Sequence, residues 1–312
     1  MTNAKISVLS MRYPSYPELG KNCNYEKALA LSKNYIKESI ECVLPDRPDL
    51  IILPENCDHI MEVDSIEFCH YKGDAYIEML GNMARDNQCR IAYSSVRKAE
   101  DGKIYNSTQM IDKTGKVMGC YDKNYVTIGE SKKGICYGEQ AELMDLGFAK
   151  AACAICFDLN FDELLYRYKE KAPKLIVFSS SYHGGIKQYE WAYKTGAYFA
   201  GSIGNDAESR IINPFGETVA RTTNYYKYVT GQVNFDYIIT GLGYNRTKLD
   251  AAKKKYGEII RIHEPGYLSP AMLTSLSEEI SAEEIAREFE MEIWYDYLKR
   301  NVELRTEALN KE

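Results

Sequence analysis

The sequence predicts an α/β fold with at least one mixed sheet. Two observations lead to this prediction: short apolar runs are bounded by turn-forming residues, and stretches with helical spacing alternate with those runs. The composition agrees, because 45% of the 312 residues are hydrophobic and 27% are charged, as in ordinary globular proteins. The length fits two domains, or one large α/β domain with an appendage.

Charge and composition exclude several classes of protein. The net charge of −6 and the pI near 5.5 argue against a nucleic-acid-binding protein, which normally presents a basic face. No apolar run approaches the roughly 18–20 residues that span a bilayer, and the start, MTNAKISVLSMRYP, lacks the apolar stretch of a secretory signal. The 9 cysteines are scattered through apolar segments, which favours a reducing compartment. We therefore expect a cytoplasmic protein that contacts neither nucleic acid nor membrane.

Apolar periodicity assigns the elements of the first half of the chain. Helical spacing predicts helices over Tyr25–Cys42 and Tyr76–Asn87. The continuous apolar run Leu50–Leu53, which stops at Pro54, predicts a fully buried strand. Further strands are predicted at Ile6–Met11, Cys89–Val96, Ser107–Ile111 and Val117–Tyr121.

The same alternation continues in the second half. Ala151–Phe157 is a buried apolar run that predicts a strand, and Gln188–Phe199 has helical spacing. A second helix is predicted at Asp162–Lys169, and further strands at Leu175–Phe178, Ser209–Asn213, Thr218–Arg221 and Val229–Val233. The last of these is expected to close the series of strands.

The composition changes near Asp236, so we divide the chain into a domain of residues 1–240 and a C-terminal extension of residues 241–312. In the extension, Ser281 and Glu284 have the spacing of a capping box. The apolar residues from Ile285 to Leu298 then fall on one helical face. This pattern predicts an amphipathic helix that packs on the body of the protein or on a second subunit.

Three segments place a reactive polar residue directly after an apolar strand. Glu55 follows the first of these strands, Lys123 the second and Cys156 the third. Ligands of open α/β folds bind at the carboxyl ends of strands, so these three side chains can converge. Each residue also has an ordinary interpretation, as a capping glutamate, a solvated lysine or a small core cysteine.

The chemistry of the set is coherent for acyl transfer. A Cys156 thiolate attacks a carbonyl or nitrile carbon. Glu55 accepts the thiol proton and later protonates the leaving nitrogen. Lys123 stabilises the oxyanion, with the backbone N–H of Phe157 as a second donor. This mechanism needs neither a metal nor a cofactor.

The segments around these residues resemble the nitrilase superfamily of carbon–nitrogen hydrolases. The resemblance runs from about Ile6 to Phe235, and the order and spacing of five blocks carry it. The blocks are Ile51–Glu55, Asn106 with Ile111–Gly115, Tyr121–Lys123, Ile155–Asp158 with Phe161 and Glu163, and Ser209–Gly216. The resemblance implies a four-layer αββα sandwich, with Glu55 as base, Lys123 as oxyanion stabiliser and Cys156 as nucleophile.

The resemblance also implies a second glutamate shortly after the lysine and ahead of a glycine. Glu130 fits that position best, and Glu139 is the alternative. Asn160 stands where the family commonly has Arg, and Asp162 where it has Pro. We expect Asn160 and Asp162 to shape and brace the pocket rather than perform the chemistry, which leaves the identity of the substrate open.

Other constellations are weaker. Cys153 and Cys156 have the spacing of redox and metal sites, but residues three apart in a strand point to opposite faces, so no disulfide or zinc site is expected. His183 follows a strand and is an alternative base for a Cys–His hydrolase. We favour instead a place for Tyr182 and His183 in the substrate pocket, together with Phe157.

The expected function is hydrolysis of a non-peptide C–N bond in a small linear amide or N-carbamoyl compound. Because members of the family more often act on amides than on nitriles, a nitrilase is the first alternative. A catalytically silent binding or regulatory subunit is the second, although the presence of Glu55, Lys123 and Cys156 disfavours it. A transferase with an amine as acceptor is the third. The resemblance implies dimers packed through outer helices, so we expect a homo-oligomer, a dimer or larger.

Overall fold

The computed structural model describes residues 3–19 and 24–310. Contacts divide the chain into two units, one of Ala4–Val233 and one of residue 3 with residues 234–310. The predicted boundary after residue 240 lies inside a strand, Tyr237–Gly241. Within the described ranges, no helix combines the length and the apolar character needed to cross a membrane.

The larger unit alternates strands and helices along the chain. Its strands are β1 (Asn3–Leu9), β2 (Leu50–Ile52), β3 (Arg90–Lys98), β4 (Ile104–Ile111), β5 (Val117–Asp122), β6 (Met144–Asp145), β7 (Lys150–Ile155), β8 (Leu175–Ser180), β9 (Tyr198–Ile203), β10 (Arg210–Ile212), β11 (Thr218–Arg221) and β12 (Tyr228–Asn234). Its α-helices are α1 (Tyr25–Glu41), α2 (Ser65–Lys72), α3 (Ala75–Asp86), α4 (Ile128–Lys132), α5 (Asp162–Lys171) and α6 (Ile186–Thr195). Short 3-10 helices occur at Pro17–Leu19, Leu44–Asp46 and Cys156–Asn160.

These strands form two six-stranded mixed sheets, which confirms the predicted fold class. The first has the order β12-β1-β2-β3-β4-β5 and the second the order β11-β10-β9-β8-β7-β6. Strands β1, β2 and β3 are parallel to one another, as are β7, β8 and β9. The pairs β3–β4, β4–β5, β6–β7, β9–β10 and β10–β11 are antiparallel.

The two sheets pack face to face and carry helices on their outer sides, which gives the four layers αββα. The apolar run Leu50–Leu53 is completely buried, as predicted for a strand covered on both faces. Across the sheets, the Ser179 hydroxyl donates to the Leu53 carbonyl at 2.8 Å. Apolar residues of α1 and α3 pack on the first sheet. On the second sheet, the Tyr168 hydroxyl of α5 donates to the Cys153 carbonyl at 2.6 Å.

Two predicted boundaries in this unit are wrong. The strand predicted at Ala151–Phe157 stops at Ile155, because the chain turns sharply at Cys156. The helix predicted at Gln188–Phe199 stops at Thr195, because Gly196 adopts a left-handed conformation that terminates it. The apolar residues after that glycine form β9, in which all six side chains are buried.

The smaller unit is a three-stranded sheet with three helices, where only one helix is predicted. Its strands are β13 (Tyr237–Gly241), β14 (Ile260–His263) and β15 (Pro270–Ser275), in the antiparallel order β13-β15-β14. Its helices are α7 (Leu242–Tyr256), α8 (Ala282–Glu288) and α9 (Trp294–Leu309), with a 3-10 helix at Gly257–Ile259. The expectation that Val229–Val233 is the last strand is therefore wrong. Strand β15 is short and completely buried, so it lacks the alternating pattern of a half-exposed strand.

The amphipathic helix predicted from Ile285 to Leu298 is two helices. The predicted capping box begins α8, with the Glu284 N–H donating to Ser281 Oγ at 3.2 Å and the Ser281 N–H to Glu284 Oε2 at 2.8 Å. Helix α8 stops at Glu288, because Glu290 takes a left-handed conformation with φ of 53°. Ile285 is buried in the core of this unit, whereas α9 has no buried residue in its described length.

Candidate active site

The three reactive residues meet because of strand direction. In the first sheet, β2 and β5 run the same way, since β2 is parallel to β3 and two antiparallel steps lead from β3 to β5. Glu55 follows β2 and Lys123 follows β5, so both lie beyond the same edge of that sheet. Cys156 follows β7 of the facing sheet, and its thiol interacts with both of these residues.

The Glu55 carboxylate is surrounded by hydrogen-bond donors. Oε1 accepts from Lys123 Nζ at 2.8 Å and from Asn106 Nδ2 at 2.8 Å, and Oε2 accepts from the Ser181 N–H at 3.0 Å. The residue is 3% exposed. Burial by itself raises the pKa of Glu55, but the charge of Lys123 and these hydrogen bonds outweigh burial and hold the pKa below its ordinary value. Glu55 is therefore ionised near neutral pH and able to accept a proton.

The Lys123 ammonium lies between two carboxylates. Its Nζ is 2.8 Å from Glu55 Oε1 and 3.0 Å from each carboxylate oxygen of Glu130. The residue is 1% exposed, and its backbone N–H donates to the Asn106 carbonyl at 2.8 Å. Burial by itself lowers the pKa of Lys123. The charges of Glu55, Cys156 and Glu130 together outweigh burial and hold the pKa above its ordinary value, so the lysine stays protonated.

Glu130 reaches the lysine from the first turn of α4. The Thr127 hydroxyl accepts from the Glu130 N–H at 3.2 Å, and Glu130 Oε2 accepts from the Thr127 N–H at 2.7 Å, which is a capping box. Glu130 Oε1 also accepts from Asn106 Nδ2 at 2.8 Å. The structure thus brings Glu130 to Lys123, whereas the alternative, Glu139, has an exposed side chain. That Glu130 takes part in catalysis remains a prediction.

Cys156 lies at a sharp turn between β7 and the 3-10 helix Cys156–Asn160. Its φ of 47° is left-handed, which is uncommon for a residue other than glycine and is often found at active sites. Burial, the charge of Glu55 and a hydrogen bond to Glu55 raise the pKa of the Cys156 thiol to about 12, against the opposing effect of Lys123. At neutral pH the site therefore holds a thiol beside an ionised carboxylate.

Three of the four predicted substrate-binding residues lie around this thiol. Phe157 and Tyr182 are each 37% exposed, and the Phe157 ring packs edge-on against Phe161 with centroids 5.3 Å apart. Burial and the nearby Cys156 raise the pKa of Tyr182, and a hydrogen bond to the Asn160 side chain lowers it. Phe157, Tyr182 and Asn160 thus form a partly open wall beside the nucleophile. That this wall binds the substrate remains a prediction.

The fourth, His183, is held by other residues. Its Nε2 lies 2.9 Å from the Arg210 guanidinium, and burial together with the charge of Arg210 lowers the pKa of His183. Because this ring nitrogen is engaged by Arg210, the geometry favours Glu55 over His183 as the base for Cys156. A place for His183 in the substrate pocket remains a prediction.

The expectation that Cys153 and Cys156 point to opposite faces of one strand is wrong, because Cys156 lies outside β7. Both cysteines are free thiols, and Cys153 is buried within the strand. Across the described part of the chain, no group of three or more His, Cys, Asp and Glu side chains is arranged to hold a metal ion.

Sequence reasoning missed several residues that hold the buried carboxylate. The Ser181 N–H donates to Glu55 Oε2, and the run of serines from Ser179 onwards, at the end of β8, was the available signal. The Tyr13 hydroxyl donates to the Glu55 backbone carbonyl at 3.0 Å and contacts the Ser181 hydroxyl. No local pattern marks Tyr13. Asn106 belongs to a recognisable motif, but its two carboxylate contacts appear only in the structure.

Comparisons with known proteins identify the family and the fold. A family model described as carbon-nitrogen hydrolase matches residues 7–240. A hydrolase of the agr operon of Staphylococcus lugdunensis is 27% identical over 212 residues, which cover 61% of this chain and 89% of that protein. Human omega-amidase NIT2 is 22% identical over 169 residues, which cover 46% of this chain. The match spans 61% of the length of that amidase.

Solved structures show the same fold. A double mutant of the amidase from Nesterenkonia sp. AN1, in complex with acrylamide, has a TM-score of 0.60 and 15% sequence identity, covering 75% of this chain and 91% of that one. In another mutant of that amidase, the acetamide moiety of fluoroacetamide is covalently added at the active-site cysteine. At these identities the similarity establishes the fold alone.

Proposed function

The chain belongs to the carbon–nitrogen hydrolase family, and we propose that it hydrolyses a small linear amide or N-carbamoyl compound through a covalent intermediate on Cys156. One observation carries the proposal: Glu55, Lys123, Glu130 and Cys156 converge in a single cluster, with the lysine between the two carboxylates. This set supplies a nucleophile, a base and a cation without a further group.

The first half-reaction begins with the thiol. Cys156 Sγ attacks the carbonyl carbon, its proton passes to Glu55, and an S–C bond forms while the carbonyl π electrons move onto oxygen. Lys123 Nζ and the backbone N–H of Phe157 stabilise that oxyanion. Glu55 then donates the proton to the nitrogen, and the C–N bond breaks. Ammonia or an amine departs, and the acyl group remains on Cys156 as a thioester.

The second half-reaction releases the acid. Water attacks the thioester carbonyl while Glu55 accepts a proton from it, and the same two donors stabilise the second oxyanion. The S–C bond breaks, the acid leaves, and the proton returns from Glu55 to the Cys156 sulfur. Glu130 has two tasks in this scheme: it holds Lys123 in place, and it helps to position the substrate or the water.

The resting charges support a base-assisted attack. Glu55 and Glu130 carry two negative charges against the single positive charge of Lys123, so the buried cluster disfavours a third anion on sulfur. The thiol therefore has to lose its proton during the attack, to the Glu55 carboxylate that hydrogen-bonds it. This arrangement favours amides, because the proton that Glu55 accepts from the thiol can then be donated to the leaving nitrogen.

The wall beside Cys156 is proposed to contact the acyl part of the substrate. Phe157 offers an apolar ring edge, whereas Tyr182 and Asn160 offer a hydroxyl and an amide that hydrogen-bond each other. Asn160 is neutral, so this position gives a substrate carboxylate no charge to pair with. The next residue in the chain, His183, contacts the Arg210 guanidinium at 2.9 Å, and we propose that it belongs to the same pocket.

The test is turnover of a mixed panel of aliphatic amides, N-carbamoyl amino acids and nitriles, with product identification. We expect the wild-type protein and a Cys120→Ala control, which removes another exposed thiol, to release ammonia from an amide or an N-carbamoyl compound. Cys156→Ala should abolish this turnover. Turnover of nitriles alone would replace the proposal by a nitrilase, and amide formation with an added amine by a transferase. Retained turnover in Cys156→Ala would refute the assignment of the nucleophile.

A further inference from the structure

Asp158 is a buried carboxylate that links the nucleophile turn to the lysine segment. We infer that Asp158 is a positioning residue, whose ionised side chain holds Cys156 and Lys123 in register for reaction. The inference rests on the proposed function of Cys156 as nucleophile. It assigns Asp158 no contact with the substrate.

The contacts of Asp158 come from two segments distant in sequence. Oδ2 accepts from the Ile155 N–H at 2.9 Å and from the Tyr121 hydroxyl at 2.7 Å, and Oδ1 accepts from the Tyr125 N–H at 2.8 Å. Ile155 directly precedes the nucleophile, whereas Tyr121 and Tyr125 stand two residues before and two residues after Lys123. Asp158 itself is 0% exposed, so water offers these three donors no replacement.

The nucleophile turn depends on such an anchor. Cys156 has a left-handed φ of 47°, a conformation that is unfavourable for a residue with a side chain. The surrounding structure must therefore hold it. The bond from Ile155 to Asp158 closes the turn around Cys156, and the two tyrosine bonds tie that closed turn to the segment that carries the lysine.

Only the ionised form of Asp158 can accept all three bonds. Its partners are two N–H groups and one hydroxyl that donates, and a protonated carboxyl group would turn a donor of its own toward one of them. An asparagine at this position would do the same with its NH₂ group. The change from Asp to Asn therefore preserves the shape of the side chain and removes the property on which the inference depends.

Protonation of Asp158 occurs within an accessible pH range. Burial raises its pKa to about 6, while its three hydrogen bonds and the charge of Lys123 lower it. The other titratable groups that interact with it are the hydroxyls of Tyr121, Tyr125 and Tyr168. As the pH falls through about 6, the carboxylate takes up a proton and the network loses an acceptor, so reactivity of Cys156 should fall. The pKa of Glu55 lies below its ordinary value of 4.5, so its titration affects reactivity only at lower pH.

The experiment measures the rate at which fluoroacetamide modifies Cys156, by mass spectrometry of the peptide that carries it. In this reaction the Cys156 sulfur displaces fluoride from carbon and its proton passes to Glu55, so no turnover is needed. Rates are compared from about pH 4.5 to about pH 8.5, a range that lies between the ordinary pKa values of Glu and Cys. The proteins are the wild type, Asp158→Asn, Tyr121→Phe and the control Asp250→Asn, which changes an exposed aspartate of α7.

We expect the wild-type rate to fall about tenfold per pH unit below pH 6, as for a single titrating group. Asp158→Asn should react at least about tenfold more slowly at pH 7.5 and should lack the decline near pH 6. Asp250→Asn should behave as the wild type. Tyr121→Phe removes one donor to the carboxylate and so raises the pKa of Asp158, which should move the decline to higher pH. That shift decides the question even if Asp158→Asn fails to fold.

Two results would overturn the inference. One is a decline at the same pH in Asp158→Asn or in Tyr121→Phe, which would assign the titration to another group. The other is a wild-type rate in folded Asp158→Asn. If fluoroacetamide neither modifies Cys156 of the wild type nor releases ammonia at any pH, the proposed function fails first and this inference fails with it. If the wild type hydrolyses fluoroacetamide instead, the rate of ammonia release replaces the rate of modification in the same comparison, because both reactions begin at the Cys156 sulfur.

Discussion

The lysine between two carboxylates determines how the nucleophile is made. In the resting site Glu55 is the group that is ready to accept a proton, and the Cys156 sulfur still carries one. Lys123 does not create a stable thiolate, because Glu55 and Glu130 balance its charge. We propose that Lys123 acts in the transition state, where the proton has moved to Glu55 and negative charge appears on the substrate oxygen.

Lys123→Ala tests this role. Loss of an oxyanion-stabilising donor should lower kcat by about 10²-fold or more. The measurement is steady-state turnover of the best substrate from the panel. The control is Lys132→Ala, which removes an exposed lysine of the neighbouring helix α4 and should leave kcat unchanged.

The stability of the Lys123→Ala variant is measured alongside. Removing a buried cation from between two carboxylates costs about 3–5 kcal/mol in typical proteins, so thermal unfolding must show that the assayed protein is folded. A loss of kcat smaller than about tenfold in the folded variant would mean that Lys123 is not the oxyanion stabiliser.

At the scale of elements, apolar runs predicted the centre of the fold well. The run Leu50–Leu53 forms the buried strand β2, and the spacing in Tyr25–Cys42 forms α1. The turn at Cys156 was missed, because a left-handed φ at a cysteine has no local signal and is held by contacts with Asp158 and with residues some 30 positions away. The start of β9 was missed because an apolar strand follows a helix after a single glycine.

Helix α9 raises a separate question, because no residue in its described length is buried. Its exposed apolar side chains include Val302 at 65%, Leu304 at 52% and Leu309 at 53%. Exposed apolar residues concentrated on one element are typical of an interaction surface. We propose that α9 lies in a contact between copies of this chain. This proposal assigns a surface to the expected homo-oligomer.

Val302→Glu tests this contact. A charge placed in an apolar interface should weaken association, so the variant should show a smaller mass than the wild type by light scattering after size-exclusion chromatography. Glu303→Gln, which changes the neighbouring residue on the same helix without adding a charge, serves as control and should keep the wild-type mass. A monomeric wild type, or an unchanged mass in Val302→Glu, would contradict the proposal.

For the whole molecule, the sequence resemblance ends where the second unit begins. The family model and the similar structures cover the αββα sandwich, and the residues of the proposed triad could be located in the sequence because each stands in a recognisable block. The contacts that support these residues could not be predicted from the sequence. Ser181 and Glu55 are separated by 126 residues and Tyr13 and Ser181 by 168, and only the packing of the two sheets brings them together.

The sheet of the second unit was missed for a related reason. β15 is central in that sheet and completely buried, yet it is six residues long and begins with a proline. Strands β13 and β14, at the edges, are shorter still. Short apolar segments of this kind are ambiguous until a partner covers them, and here the partners are α7 and α8.

The central claim is that Cys156 carries the acyl group between two half-reactions. The most direct test is the intact mass of the wild-type protein quenched with acid during turnover of an amide substrate, with Cys156→Ala as control. The account predicts that wild-type protein gains the mass of the acyl group, that the modification maps to Cys156, and that Cys156→Ala gains nothing. Turnover of the amide with no added mass at Cys156, together with the same turnover in Cys156→Ala, would contradict it.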